Sequence, residues 1–338
     1  MTVNLASIII VNWNGEHLLQ ECLDSVFSQT YPDFEVILVD NNSSDNSVEY
    51  VSCNYHSVKL VSMECNSGFS GGNIEGLKHA NGEFIVLLNN DARLSATWLQ
   101  TVILKLRSNK DVGFCASKIL VDNNHRLIDS VGDFFTTAFN VARVGEHDDE
   151  KKHSTSNFVP GACAAAVVYK KEMLDEIGFL DADFFLNHED TDLNMRAWFA
   201  GWKCLFVPEA VVYHKGSVSI GKMSDTSVYY FSRNNEWYWL KNVPLWLMIR
   251  YLPHRLLYEL CSCAFFCLRA GKWRPFLQGK WDALKGVPMI LEKRNNLKKL
   301  RRLSSHEIRN ELLPLVPYLQ EQIFKAVRGK FPGIETSE

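Results

Sequence analysis

The stretch Phe84-Ile85-Val86-Leu87-Leu88 constrains this chain more than any other. Five apolar residues in a row, rich in Ile, Val and Leu types, read as a strand covered on both faces. The run breaks at once into Asn89-Asn90-Asp91. A strand buried on both sides belongs to an open α/β sheet, and such sheets bind ligands beyond the carboxyl ends of their strands. A carboxylate and two amides there suit a divalent cation held against phosphate oxygens. Taken alone, the same three residues are better described as a polar turn after a core strand.

The flanking segments repeat the pattern. Ala6–Val11 reads as a buried strand broken by Asn12-Trp13-Asn14-Gly15, and Glu16–Gln29 as a helix with Leu18, Leu19, Cys22, Leu23, Val26 and Phe27 on one face. Phe34–Val39 is a second strand, running into Asp40-Asn41-Asn42-Ser43-Ser44-Asp45, and Val58–Val61 a third. A glycine-rich loop, Asn66–Asn73, leads into a helix that reaches Asn81. Strands alternating with helices imply βαβ units and a mostly parallel sheet. The turn after the first strand is no Gly-x-Gly-x-x-Gly, and no Gly-x-x-x-x-Gly-Lys-Ser/Thr loop occurs, so dinucleotide-binding and P-loop classes lose their support.

Beyond Asp91 the pattern predicts a helix over Trp98–Leu106, a strand over Val112–Ala116, and hairpins and loop over 118–157, with a mobile surface segment at His147–His153. Ala162–Tyr169 reads as a strand, Glu172–Ile177 as a helix, and Glu189-Asp190-Thr191-Asp192 as the opening of a helix over Leu193–Ala200. Lys203–Val207 and Val211–His214 read as two strands separated by Pro208.

Composition then narrows the classes. The nine cysteines are scattered or unmatched, which predicts reduced thiols in a cytosolic protein and no zinc site. No signal peptide is expected at the start, and no clean spanning helix. The net charge of −3 hides an asymmetry: 17 Lys/Arg against 29 Asp/Glu up to residue 224, and 19 against 10 from there on. The acidic front half argues against nucleic-acid binding. The rear half is basic and aromatic-rich: Tyr229, Tyr230, Phe231, Trp237, Tyr238, Trp239 and Trp246, then a cluster of Lys293, Arg294, Lys298, Lys299, Arg301 and Arg302. It predicts helices attached to an anionic membrane surface, the alternative being a soluble helical appendage or dimer interface.

Seven motifs in order carry a resemblance over about residues 6–220: Ser7–Asn12 with Gly15, Val39–Asp45, Asn66–Asn73, Leu88–Asp91, Pro160-Gly161-Ala162, Glu189–Leu193 with Arg196, and Tyr213-His214. In them the chain resembles the family 2 glycosyltransferases of GT-A fold, particularly the bacterial rhamnosyltransferase-like branch. The resemblance implies a GT-A nucleotide-diphospho-sugar transferase domain over residues 1–222, followed by a helical, aromatic and basic membrane-associated region over 223–338. It also implies inverting transfer of a sugar from a nucleoside diphosphate to an acceptor hydroxyl, with surface polysaccharide such as O antigen as the product. The implied donor is dTDP-L-rhamnose, with UDP-hexoses including UDP-galactofuranose as the alternative. The implied acceptor is a saccharide on a polyprenyl diphosphate, and the implied place is the inner face of the cell membrane. A catalytically silent nucleotide-sugar-binding module is the alternative of another class; both Asp91 and Asp190 speak against it.

Residue roles follow from the same resemblance. Asp190 is the general base, with Glu189 beside it, and Asp192 and Arg196 lie on the acceptor side. Asn12, Asp40, Asn42, Gly68, Gly72, Asn73, Asn90 and Asp91 bind the donor, Asp40 through the imide N–H of a pyrimidine. Asp91, Asn89 and His214 hold Mg²⁺ or Mn²⁺. Asn89 stands where many members carry the first Asp of Asp-x-Asp, which leaves one strong anionic ligand. Ile74 stands where relatives often have a second Asn.

Overall fold

The computed structural model describes residues 2–216, 221 and 223–327. The chain groups into two units, one of residues 2–133 with 143–216 and one of residues 134–142 with 221 and 223–327.

The first unit is built on a mixed, mostly parallel sheet. It begins β1 (Thr2–Asn12), α1 (Glu16–Phe27), β2 (Phe34–Asp40), α2 (Ser47–Asn54), β3 (Lys59–Ser62), α3 (Gly68–Lys78) and β4 (Gly82–Asn89). β5 (Ala92–Leu94), α4 (Trp98–Ser108), β6 (Val112–Val121) and β7 (Asn124–Ser130) follow. The hairpin of β8 (Asp133–Phe135) and β9 (Val141–Arg143) comes next, its residues 134–142 grouping with the second unit. β10 (Asn157–Val159), β11 (Ala166–Lys170), α5 (Lys171–Ile177), α6 (Glu189–Phe199) and β12 (Lys203–His214) complete the run. The strand order is β10-β12-β6-β11-β4-β1-β2-β3, with β5 on β12 and β7 on β6.

β1 runs parallel to β2 and to β4, with Asn12 opposite Asp40 and Val11 opposite Asn89. Ile8 and Ile10 of β1, Val36 and Leu38 of β2, and Phe84, Val86 and Leu88 of β4 enter one core with Leu19, Leu23 and Val26 of α1 and Trp98, Leu99 and Val102 of α4. The run Phe84–Leu88 is buried throughout, as a strand covered on both faces must be.

Three elements differ from the sequence reading. The glycine-rich segment expected as a loop is itself the start of α3. Its glycines are contact points: a Cβ on Gly72 would lie 2.6 Å from Val11 Cγ1, and one on Gly76 2.4 Å from Ile9 Cγ2. The missing side chains let α3 pack tightly on β1, which outweighs the poor helix propensity of glycine. The helix expected from Leu193 starts at Glu189, so the acids occupy its first turn, where the helix dipole favours them. Finally, β12 is one strand through Pro208. The register slips between Val207 and Val211, an irregularity that absorbs the proline's missing donor. The segment His147–His153 is tied down, because Lys118 Nζ donates to Glu150 O at 2.8 Å and Asp148 pairs with Lys152 and His153.

The second unit is helical: α7 (Asp225–Asn242), α8 (Leu245–Arg250), α9 (Leu252–Cys263), α10 (Trp273–Lys285), α11 (Val287–Leu297), α12 (Ser305–Asn310) and α13 (Leu315–Val327). Among the described residues no helix is long and apolar enough to cross a membrane. Residues 134–142 are built into this unit: Tyr238 Oη donates to Phe139 O at 3.0 Å, and Thr137 N to Leu313 O at 2.8 Å. Within the aromatic run expected at a membrane, Trp237 and Tyr238 are buried in the core of this unit, while Trp246 is exposed. Two of the late basic residues cap α7: Arg294 donates to Leu240 O, and Arg301 to Asn242 O at 3.0 Å.

Gly76→Val should destabilise the first unit by ~1–3 kcal/mol through overpacking against Ile9, measured by chemical denaturation. An unchanged midpoint would mean that α3 does not rest on β1 at this position.

Candidate active site

The parallel register ends β1, β2 and β4 at one level, so Asn12, Asp40 and Asn89 come together at the carboxyl edge. Asn90 Nδ2 donates to Asn12 Oδ1 at 2.8 Å, joining the strand ends. Gly15 makes room for this bond, since a Cβ there would lie 2.4 Å from Asn90 Nδ2 and 2.5 Å from Asn12 Oδ1. Asp40 Oδ2 accepts from Ser43 N at 3.0 Å. Its Oδ1 is buried with no hydrogen-bond partner among the described residues. A buried acceptor left in this state costs free energy, and a ligand N–H would recover it.

From Asp40 a chain of contacts runs round the edge. Asn41 Nδ2 donates to Asn66 Oδ1 and to Gly68 O, both at 3.0 Å, and Ser67 N donates to Asn41 Oδ1 at 3.0 Å. Gly68 has φ of +72°, and a Cβ there would lie 2.3 Å from Phe185 O. Ser70 N donates to that same carbonyl at 3.1 Å, so α3 leans on the loop before α6. In this loop Phe185, Asn187 and His188 all have positive φ, between 63° and 69°. Three non-glycine residues in the left-handed region store strain of a kind that concentrates at functional sites.

The loop delivers Glu189 and Asp190. Glu189 is buried, and its Oε2 has no hydrogen-bond partner among the described residues. Burial first, and the charge of Asp190 second, hold its pKa well above the usual carboxylate range. Asp190 is half-buried, its Oδ1 accepting from Thr191 N at 2.7 Å and its Oδ2 from Ala164 N at 3.3 Å. The next residue along, Ala165, accepts from Asn89 N at 2.9 Å. The pair Ala164–Ala165 thus ties Asp190 to the end of β4.

At that end Asp91 Oδ1 lies 3.2 Å from His214 Nε2, while His214 Nδ1 lies 3.0 Å from Asp129 Oδ2. Asn89 Nδ2 is 3.5 Å from His214 Nε2. Burial alone would lower the His214 pKa, but the hydrogen bonds and charges of Asp129 and Asp91 outweigh it and push it up to about 9. A carboxylate on the far ring nitrogen of a histidine is the usual support of a metal-binding imidazole. Among the described residues no three or more His, Cys, Asp and Glu side chains gather into a metal site. A cation here would draw on Asp91, His214 and the Asn89 amide, and would have to displace the imidazole proton.

Other expected site residues have internal duties. Asp192 and Arg196 form a buried pair at 3.0 Å, and Arg196 also donates to Ile177 O, Gly178 O and Phe179 O, clamping the turn after α5. Gly72 packs on Val11, and Asn73 is buried with its amide on Phe69 O at 2.9 Å. Asn42 is exposed, with φ of +63°. Two residues escape sequence reasoning altogether. Asp129 reaches His214 only through the β6–β7 pairing. Asp133, fully buried near Asp190, has its pKa raised by burial and then by that charge. Each is a lone Asp in a stretch without a motif.

The fold is the GT-A type, as solved structures show. Over 98% of this chain and 94% of the other, it superposes with TM-score 0.55 at 16% identity on Staphylococcus aureus TarS residues 1–349 in complex with UDP. A Pyrobaculum calidifontis mannosyltransferase in complex with GDP-Man and Mn²⁺ gives TM-score 0.53 at 16% identity, over 97% of this chain and 81% of that one. The family model described as Glycosyl transferase family 2 matches residues 7–178, and the chain belongs to that family. An Escherichia coli relative, UDP-Glc:alpha-D-GlcNAc-diphosphoundecaprenol beta-1,3-glucosyltransferase WfgD, is 30% identical over 125 residues, covering 37% of this chain and 49% of that protein. The chain spans about half the length of WfgD and of another curated relative that it matches.

The His214 pKa gives a signed expectation for the metal-free protein. A pKa raised in the fold contributes stability that is fully present below the ordinary value of 6.5 and is lost as pH rises through about 9. Asp129→Asn should move that loss to lower pH, read by denaturation between about pH 6 and pH 10 and by NMR titration of the ring. An unmoved titration would mean that Asp129 does not hold His214.

Proposed function

We propose that this chain is an inverting glycosyltransferase that moves a sugar from a pyrimidine nucleoside diphosphate to a hydroxyl of a lipid-linked saccharide. The observation that carries the reading is the buried, unpartnered Oδ1 of Asp40 at the same strand edge as Asn89 and Asp91. Uracil and thymine both present an imide N–H that such an oxygen accepts. Asp91, Asn89 and His214 would hold Mg²⁺ or Mn²⁺, the imidazole favouring Mn²⁺. When bound, the cation neutralises charge on the departing diphosphate.

Asp190 is the proton acceptor. It is the carboxylate of its turn that reaches solvent, while burial raises the pKa of Glu189 behind it. The backbone N–H groups of Thr191 and Ala164 orient the Asp190 carboxylate. As the acceptor oxygen bonds to the sugar's anomeric carbon, its proton passes to Asp190 and the bond to the diphosphate breaks on the opposite face, inverting the centre.

For the sugar, resemblance to the rhamnosyltransferase-like branch supports dTDP-L-rhamnose. The names of WfgD and of the TarS complex support the second reading, a UDP-hexose. The lipid-linked acceptor rests on the diphosphoundecaprenol acceptor in the name of WfgD. With it goes a place at the inner face of the cell membrane and a product in surface polysaccharide.

A donor panel tests this: dTDP-rhamnose, UDP-glucose, UDP-galactose, UDP-galactofuranose and UDP-N-acetylglucosamine, each with Mn²⁺ and assayed for slow hydrolysis. One metal-dependent donor is expected, and no turnover of any would sink the reading. With that donor and an acceptor, Asp190→Asn should lower transfer by at least ~10²-fold while donor affinity stays within a factor of about two. Asp40→Ala should do the converse, weakening donor binding by roughly tenfold or more. Wild-type transfer by Asp190→Asn would remove Asp190 from the role of base.

A further inference from the structure

The second unit wears its apolar residues on the outside. On α10, Trp273, Leu277, Trp281 and Leu284 recur at spacings of four, four and three and form one stripe, which is exposed; Trp281 is 60% and Leu284 65% accessible. The opposite face is the one that packs: a Cβ on Gly279 would lie 2.0 Å from Ser232 Oγ of α7, and Trp237 Nε1 donates to Ala283 O at 3.2 Å. On α9, Leu252, Leu256 and Leu260 repeat the pattern, with Leu256 61% and Leu260 69% accessible. Leu245 and Ile249 do so on α8.

The polar groups go the other way. Arg255 of α9 is buried and pairs with Glu236 at 3.0 Å and Glu259 at 2.9 Å, and Lys280 of α10 pairs with the same two carboxylates. Helices that bury ion pairs and show leucine to solvent are inverted relative to the surface of a water-soluble fold.

The stripes of α9 and α10 each turn away from the packed flank of their own helix. A π-helical segment, Ala264–Arg269, and a three-residue turn join the two helices. Phe266 stacks on Phe276 at 5.2 Å and Glu259 meets Lys280, so the pairing moves back along one helix as it moves forward along the other.

We propose that the exposed apolar stripes of α9 and α10 dock on an anionic lipid bilayer. The exposed cations of this region, Arg250, Arg269, Arg274 and Lys285, are complementary to anionic headgroups. The exposed tryptophans stand beside cations: Arg250 over Trp246, Arg274 over Trp273 and Lys285 over Trp281, at 5.1 to 5.8 Å. Tryptophan with a basic neighbour is the pairing that settles at a membrane interface. A second copy of the chain brings cation against cation on this face and fits it poorly. The docking deepens the reading of a lipid-linked acceptor, on which its biological sense rests.

The test uses the full chain and vesicles of phosphatidylcholine with about 30 mol % phosphatidylglycerol, against phosphatidylcholine alone. Cosedimentation should show anionic vesicles preferred by at least about tenfold, and brominated lipid should quench the native tryptophan fluorescence. The triple variant Leu277→Ser, Trp281→Ser, Leu284→Ser should bind at least about tenfold more weakly. Leu104→Ser, at an exposed leucine of α4, should bind as the wild type does. Absent quenching, equal binding by the triple variant, or an equal loss in Leu104→Ser would overturn the proposal. So would a wild-type dimer that ignores vesicles and that the triple variant dissociates. The quenching arm needs no variant to fold, and donor hydrolysis is read separately, so vesicle binding without turnover would sink the donor reading and leave the docking standing.

Discussion

The parallel register of β1 with β2 on one side and β4 on the other is the constraint on which the site depends. Parallel strands buried on both faces have no room for polar side chains until they end, so the first polar residues of each converge at the same level. Asn12, Asp40 and Asn89 meet for this reason, and a slip of one residue would turn Asp40 into the core. The rest of the site is fastened to this edge by backbone. Phe185 O ties the α6 loop to α3, and Ala164–Ala165 ties Asp190 to Asn89. Asp190, on a strained loop, is thereby held against an edge built on rigid strands, the precise positioning that the proposed transfer requires.

Two buried carboxyl environments divide the labour. Burial and its neighbour raise the pKa of Glu189, while Asp190 is half-exposed and hydrogen-bonded by two backbone N–H groups. At the other end His214 sits between Asp91 and Asp129 and is cationic unless something takes its proton's place. That links cation binding to proton release, so affinity for a divalent ion should rise with pH.

Much of this was legible in the residues. The apolar run Phe84–Leu88 announced a doubly covered strand, and the breaks after it and after Val39 announced the edge where Asn12, Asp40 and Asn89 meet. Motif order then gave the family, which the match over residues 7–178 bears out. What stayed hidden was whatever depends on contacts distant in sequence. Asp129 and Asp133 become meaningful only once β7 folds onto β6 and residue 133 pairs with Gly161. The glycines of α3 looked like a loop because their packing against Val11 and Ile9 is a tertiary fact that overrides propensity. In the second unit the composition correctly signalled aromatic, basic helices. Periodicity alone did not say that Trp237 and Tyr238 face inwards while Trp273 and Trp281 face out.

The central claim is that the edge formed by Asn12, Asp40, Asn89 and Asp91 binds a pyrimidine nucleoside diphosphate together with a divalent cation. Calorimetric titration of UDP and of dTDP into the protein, with Mn²⁺ and with chelator, tests it most directly. The account predicts binding of at least one of the two that weakens by about tenfold or more without the cation and is lost in Asp91→Ala. Equal affinity with and without Mn²⁺, or no affinity for either nucleotide in folded protein, would contradict it.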